Sequence, residues 1–360
     1  MSTMYTDTLV PNSKSQEPNL HVPLIAHPLR FLVRATTPIR FHGFKGSALR
    51  GALTTSLRRT FCPEWRAAQT DPLHQSLCPV CQLLSFEGDD ETSGDLRRPY
   101  TIEPPLSAPD ETAPGECFSF GLTLYGDKLA YLPYLILAVQ GMGELGVGQK
   151  GVDDADPSSH GRVARGKFHL EAIDALNPLS DEQVAMLRPG EQMVRTATAA
   201  VTHAHVQQAT AEWADRLAAR GNRLTIQFHT PTRIIQREQT LKQPDFFPLI
   251  KQVALRILDL CAQHAEGRPT VDGEPLVLKR DLYPFADTVQ LVADATRWWD
   301  VKGYSSRLER AQVLGGFVGQ ATYQAPDWRP LLPWLLWGTL THVGKNAVKG
   351  CGIFDLQPLA

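Results

Sequence analysis

Three absences narrow what this sequence encodes. Its two most apolar stretches, opening at Leu132 and Leu332, are too short to cross a membrane. The first twenty residues hold no apolar run that would read as a signal peptide, so the expected compartment is cytoplasmic, with no membrane partner. Cysteine is sparse, six in 360 residues, which argues against a disulfide framework and leaves metal binding or plain burial. Net charge is nearly absent as well, at −2, so the chain lacks the overall basic field of many nucleic-acid binders. A nucleotide phosphate loop, GxxxxGK[ST], is also missing, because Gly344-Lys345 is followed by Asn346.

What is present is unevenly distributed. Residues 30–60 carry seven basic side chains and no acidic one, whereas acids gather at 87–95 and 153–156. A locally basic face on a neutral protein can hold a phosphate backbone; a solvated helix face is the plainer alternative. The length suits about two domains, and the two halves follow one plan. RFLVRATTPIR alternates like a half-buried strand ending in Thr-Pro-x-Arg, and a helix with Leu49, Leu53 and Leu57 on one stripe follows. RLTIQFHTPTR repeats that strand, and the helix after it aligns Ile250, Val253, Ile257 and Cys261. Each half then closes with an apolar helix, a glycine-rich loop and a strand, at LPYLILAVQGMGELGVGQK and LPWLLWGTLTHVGKNAVKGCGIFDL. This order predicts two tandem βαββαβ units joined by a helical linker over 179–221 that Pro189-Gly190 interrupts.

Several motifs carry a resemblance. GFKGSALRGAL resembles the helix-opening motif of the RAMP superfamily of CRISPR-associated proteins, and CPVCQLLSFEG resembles its Cys-x-x-Cys-x-Leu-Phe-Gly segment. GGFVGQATYQA with HVGKNAVKGCGIFDL is similar to the carboxy-terminal glycine-rich region of the precursor-RNA processing endoribonucleases in that superfamily. The resemblance touches residues 28–150 and 220–356. It implies an α+β fold of two tandem ferredoxin-like (βαββαβ, RRM-like) domains and metal-free cleavage of repeat RNA. The expected division is a disordered tail over 1–22, a first domain over 23–178, the linker, and a second domain over 222–360. The expected partners are repeat RNA or crRNA and other subunits of a CRISPR effector complex. Two alternatives stay open: a non-catalytic RAMP subunit that holds crRNA, and a zinc-containing scaffold with no RNA role.

Metal-free cleavage needs a base for the 2′-hydroxyl, an acid for the departing 5′-oxygen, and cations beside the phosphorane. His42, between a strand end and the helix opening, is the principal candidate, with Lys45 as the cation and His342 as a second acid or base. Arg34, Arg40, Arg50 and Arg58, together with Gly344, Lys345, Lys349 and Gly350, are the expected RNA contacts. In the loop, glycines would let a backbone approach the sugar-phosphate chain and offer N–H donors. A tight turn between a core helix and an edge strand is the other reading of those glycines. His27, His203, His205, His229 and His264 read as structural or surface residues. Cys62, His74, Cys78 and Cys81 form a C-x11-H-x3-C-x2-C array that fits a structural zinc site, with Cys117 as a substitute for His74 and buried thiols as the alternative. No cofactor is expected for catalysis. Trp334 and Trp337 fall at helical spacing on an apolar element and read as core, while one of Trp298 and Trp299 is expected to face outward.

Overall fold

A computed structural model describes residues 19–67, 70–84, 97–152, 163–196, 199–305 and 310–358. The acidic stretches at 87–95 and 153–156 and the first eighteen residues of the predicted tail lie outside the described residues.

The first domain opens with strand β1, Ala26–Ala35, whose burial alternates as its sequence does. Helix α1, Lys45–Phe61, buries Leu49, Leu53 and Leu57 on the predicted stripe. Two six-residue helices follow, α2 over Pro72–Leu77 and α3 over Pro79–Leu84. Then come β2 (Tyr100–Glu103), β3 (Cys117–Tyr125), helix α4 (Leu132–Leu145) and β4 (Phe168–Asn177). The antiparallel sheet runs β4-β1-β3-β2 with one further strand beyond β4. That strand, β5 over Glu182–Leu187, corrects the helical reading of this stretch. Residues 178–181, with Asp181 at φ 54°, form a turn that folds the chain back so that Glu182 pairs with Asn177. The Asn-Pro-Leu-Ser-Asp turn signal outweighs local helix propensity.

The helical part of the linker is α5, His203–Ala218, closed at its start by a Thr202/His205 capping box. The second domain repeats the first: β6 (Arg223–Thr232), α6 (Phe246–His264), β7 (Gln290–Trp299), β8 (Gly316–Gln324), α7 (Leu332–Thr341) and β9 (Phe354–Pro358). Its sheet order, β7-β8-β6-β9, reads as the same 2-3-1-4 arrangement of the βαββαβ unit. Ile250, Val253, Ile257 and Cys261 are completely buried, and Trp334 and Trp337 belong to the same core.

The duplication extends to single atoms. In each half, the glycine-rich loop after the second helix lays one glycine on the carbonyl of the arginine that ends Thr-Pro-x-Arg. Gly148 (φ 80°) meets Arg40 and Gly344 (φ 79°) meets Arg233. A Cβ at either glycine would overlap the carbonyl oxygen and stand 3.1 Å from its carbon. Only glycine adopts that backbone at that separation without strain.

The two halves share contacts across a broad junction. Tyr125 at the end of β3 donates its hydroxyl to the Leu340 carbonyl at 2.8 Å. Arg97 pairs with Asp259 at 3.0 Å. The segment Leu20–His21 reaches across to pair with Thr270–Val271. No helix among the described residues is long and apolar enough to cross a membrane.

Candidate functional site

The opening of α1 and the second glycine-rich loop meet at this junction. Gly43 turns the chain at φ 69°, Phe44 packs under Trp299 with ring centroids 6.2 Å apart, and Gly46 lies directly against the Lys349 carbonyl. Gly350 rests on the Ile102 carbonyl and the Pro104 ring. A small buried cluster of Phe44, Val301, Leu314 and Cys351 seals this contact. Helix α1, β2 and the loop are thereby fixed relative to one another.

The predicted site residues divide according to where this packing leaves them. His42 is exposed at the head of α1. The Lys45 ammonium turns toward the segment before β3, where it donates to the Ala108 carbonyl and pairs with Asp110 at 3.2 Å. His342 is fully buried; its Nδ1 lies 3.3 Å from the Ala347 carbonyl and its Nε2 4.0 Å from Glu103. No part of that ring reaches solvent, so in this arrangement His342 cannot exchange a proton with a substrate and serves the packing of the loop. The physical reason is its place at φ 63°, where α7 ends and the chain turns inward.

The loop also differs from a phosphate cradle. The amides of Val343, Lys345, Lys349, Gly350, Cys351 and Gly352 all donate to carbonyls of the protein itself. Its glycines approach protein backbone, as Gly344 does at Arg233 and Gly352 does at Val343. What the loop presents outward is the exposed side chain of Lys345. Lys349 is buried and donates to Gln312, and burial together with the neighbouring Arg50 pushes its ammonium down to about 8.

The basic run does not form a single surface. Arg30 and Arg34 alternate onto the face of β1 opposite its buried core positions, where Asp174 and Glu171 of β4 meet them at 3.1 and 2.8 Å. Arg40 pairs with Glu111 at 2.9 Å. The sequence hid these partners because they come from strands far along the chain. Arg50, by contrast, lies on α1 beside Lys349, and its buried Nε meets no acceptor among the described residues. Arg58 sits one turn short of the end of the same helix.

One feature had no sequence signal of its own. Arg97, Arg233 and Lys345 line a cleft of about 420 Å³ at the junction, with Gln252, Asp259 and Gly344. Its three cations come from three separate segments, so no local charge run announced it. Arg233 was visible only as the end of the duplicated Thr-Pro-x-Arg.

The Cys/His array is assembled as predicted. The ligand atoms of Cys62, His74, Cys78 and Cys81 all lie within 4.8 Å of one another and could hold a metal ion. Cys117 is exposed at the start of β3 and lies outside this cluster, which removes it as a substitute for His74. Of the histidines read as structural or surface, His203 and His264 are buried, His205 caps α5, and His229 pairs with Asp355 at 2.7 Å.

Two tandem antiparallel βαββαβ domains thus meet at the glycine-rich loop that ends the second, and comparison with known proteins bears on both halves. Two family models match parts of the chain: residues 226–354 match that of the CRISPR-associated endoribonuclease Cas6, and residues 23–199 match an N-terminal domain family, AF_1859_N. Among solved structures, the chain is similar to a Cas6 product complex at 15% identity and TM-score 0.50, over 92% of this chain and 100% of the other. A Cas6 from Thermus thermophilus matches at 13% identity and TM-score 0.50, over 93% and 99%. A partial Cas6-RT-Cas1–Cas2 complex matches at 11% identity and TM-score 0.55, over 95% of this chain and 46% of the other. At these identities the structural likeness speaks for the fold. No curated protein matches the chain in sequence.

Proposed function

We propose that this protein binds the repeat RNA of a CRISPR transcript and cleaves it, without a metal, by attack of a 2′-hydroxyl on the adjacent phosphate to leave a 2′,3′-cyclic phosphate. The observation that carries this reading is the match of residues 226–354 to the Cas6 endoribonuclease family, since that half supplies the loop on which the head of α1 is docked. His42 is the proton-transfer group, exposed at the head of α1 where a substrate reaches it. Lys45 stands one turn on, and Arg50 adds a second cation on the same helix. The cleft of Arg97, Arg233 and Lys345 extends the cationic track across the junction. The Cys/His cluster takes no part in this chemistry. Other components of a CRISPR complex are proposed protein partners, in line with the Cas6-RT-Cas1–Cas2 assembly to which the fold is similar.

A second reading has its own observation. Of the three side chains named for catalysis, His342 is buried and Lys45 is already paired with Asp110, so His42 stands without a second proton-transfer group from that set. That arrangement suits a subunit that holds crRNA and does not cut. Labelled repeat RNA incubated with the protein in EDTA separates the two. Cleavage that ends in a cyclic phosphate, and that stops with a 2′-deoxy substitution at the cut, supports the enzyme. Salt-sensitive binding with intact RNA supports the subunit, and neither result leaves the RNA reading without support.

A further inference from the structure

We infer that Cys62, His74, Cys78 and Cys81 form a closed four-ligand zinc site that folds the insertion between α1 and β2. Four soft or borderline donors from three helices converge at one point. Their ligand atoms lie within 4.8 Å of one another, and the Cys62 Sγ to His74 Nε2 separation is 3.4 Å. Zinc–sulfur bonds of about 2.3 Å and zinc–nitrogen bonds of about 2.0 Å in a tetrahedron place ligand atoms roughly 3.5–3.8 Å apart. The cluster therefore reaches coordination by contracting less than about 1.5 Å, within side-chain rotation. This span suits one ion, and the Cys₃His donor set selects zinc among the available divalent metals.

The surroundings fit a ligand set and not merely a group of buried thiols. His74 points its Nε2 at the sulfurs, while its Nδ1 lies 3.8 Å from Glu64 Oε1. Glu64 thus stands on the side of the imidazole away from the sulfurs, where a small side-chain rotation would let it accept from Nδ1 and leave Nε2 free for metal. All three cysteines are free thiols and each is less than a tenth exposed.

The decisive observation is what holds α2. This helix is six residues long and buries none of its side chains, with Leu73 68% and Leu77 72% exposed. A helix of that length has no stability of its own in water. Its ties are the Asp71 cap at its start, the Cys78 turn at its end and the Gln82 amide of α3, which donates to the Gln75 and Ser76 carbonyls. An ion joining His74 and Cys78 to Cys62, at the end of α1, supplies the anchor that hydrophobic burial does not. With four protein ligands, no position is open for substrate or water, so the ion is structural.

The site rests on its own geometry and stands or falls separately from RNA cleavage. The full chain, purified without chelator, should carry about one zinc by elemental mass spectrometry. Exchange with cobalt should give the intense visible bands of tetrahedral thiolate coordination. Cys78→Ser with Cys81→Ser should lose the metal, while Cys117→Ser keeps it. Glu64→Gln should retain the metal with affinity lower by about 10–100-fold. If the double variant fails to fold, the wild type decides. A wild-type chain that binds neither zinc nor cobalt, or that shows a Cys62–Cys78 or Cys78–Cys81 disulfide in its place, overturns the inference. Metal retained by a folded double variant overturns it equally.

Discussion

Replacing Gly344 by alanine separates two reasons for a glycine in this loop. If the residue is kept bare for RNA, alanine should weaken RNA binding and leave the fold intact. The geometry argues for the protein's own backbone. Gly344 sits at φ 79°, a conformation that costs an L-residue about 1–2 kcal/mol. Its Cβ would overlap the Arg233 carbonyl oxygen, which also accepts the Lys345 amide at 3.0 Å. Moving that carbonyl away loses a hydrogen bond of about 1 kcal/mol and adds packing strain of about 1 kcal/mol. The sum is roughly 3–4 kcal/mol, or about 6–16 °C at 2–4 °C per kcal/mol. Thermal unfolding followed by tryptophan fluorescence reads this directly, because Trp328, Trp334 and Trp337 are buried in the second core. Gly148→Ala, with the same geometry against Arg40, should impose a similar penalty on the first domain. Well below either transition, RNA affinity should change little. A Gly344→Ala protein with the wild-type Tm and reduced RNA affinity would refute the reasoning and return the glycine to the ligand.

Three other outcomes follow from the site and the junction. His42→Ala should slow single-turnover cleavage by about 10²–10⁴ with RNA affinity nearly intact, and a wild-type rate would remove His42 from the chemistry. Arg50→Glu combined with Lys345→Glu should weaken repeat RNA binding by at least about tenfold, on the order of 1.4 kcal/mol, and flatten its salt dependence; unchanged affinity in the folded protein would exclude this surface. Burial lowers the His203 pKa below its ordinary value, and its Nδ1 accepts from the Trp337 indole at 3.3 Å while its Nε2 donates to the Leu20 carbonyl at 2.5 Å. The folded state thus binds fewer protons than the unfolded state, so the contribution is present above about pH 6.5 and is lost as pH falls through the folded pKa; Tm should drop below pH 6.5, and His203→Gln should reduce that slope.

The sequence was legible where burial has a period. The alternation of β1, the leucine stripe of α1 and the apolar face of α6 each set an element by local rules, and the repeated element order then implied two similar domains. The Cys/His array was legible for a related reason: four ligands within twenty residues are brought together mainly by short turns. Charge was not. The carboxylates that meet Arg30, Arg34 and Arg40 lie between 71 and 144 residues away, and sheet register alone brings them opposite. The burial of His342 was hidden as well, because it depends on how one loop seats against another domain.

The glycine-rich loop shows why its motif could be read in two ways. Glycine spacing records that something approaches the backbone closely, and it does not say what. In the first domain the approaching group is the Arg40 carbonyl, and in the second it is the Arg233 carbonyl. Both halves therefore use the motif to close their own fold, which accounts for its appearance in each. The second loop alone carries a further set of close contacts, from Lys349 to Gly46 and from Gly350 to Ile102, across to the first domain. Its lysines are thereby placed next to Arg50 and the cleft between the halves. Rigid backbone contacts on the inner side of a loop fix the side chains on its outer side, so a turn whose glycines serve the protein's own packing still sets where Lys345 stands.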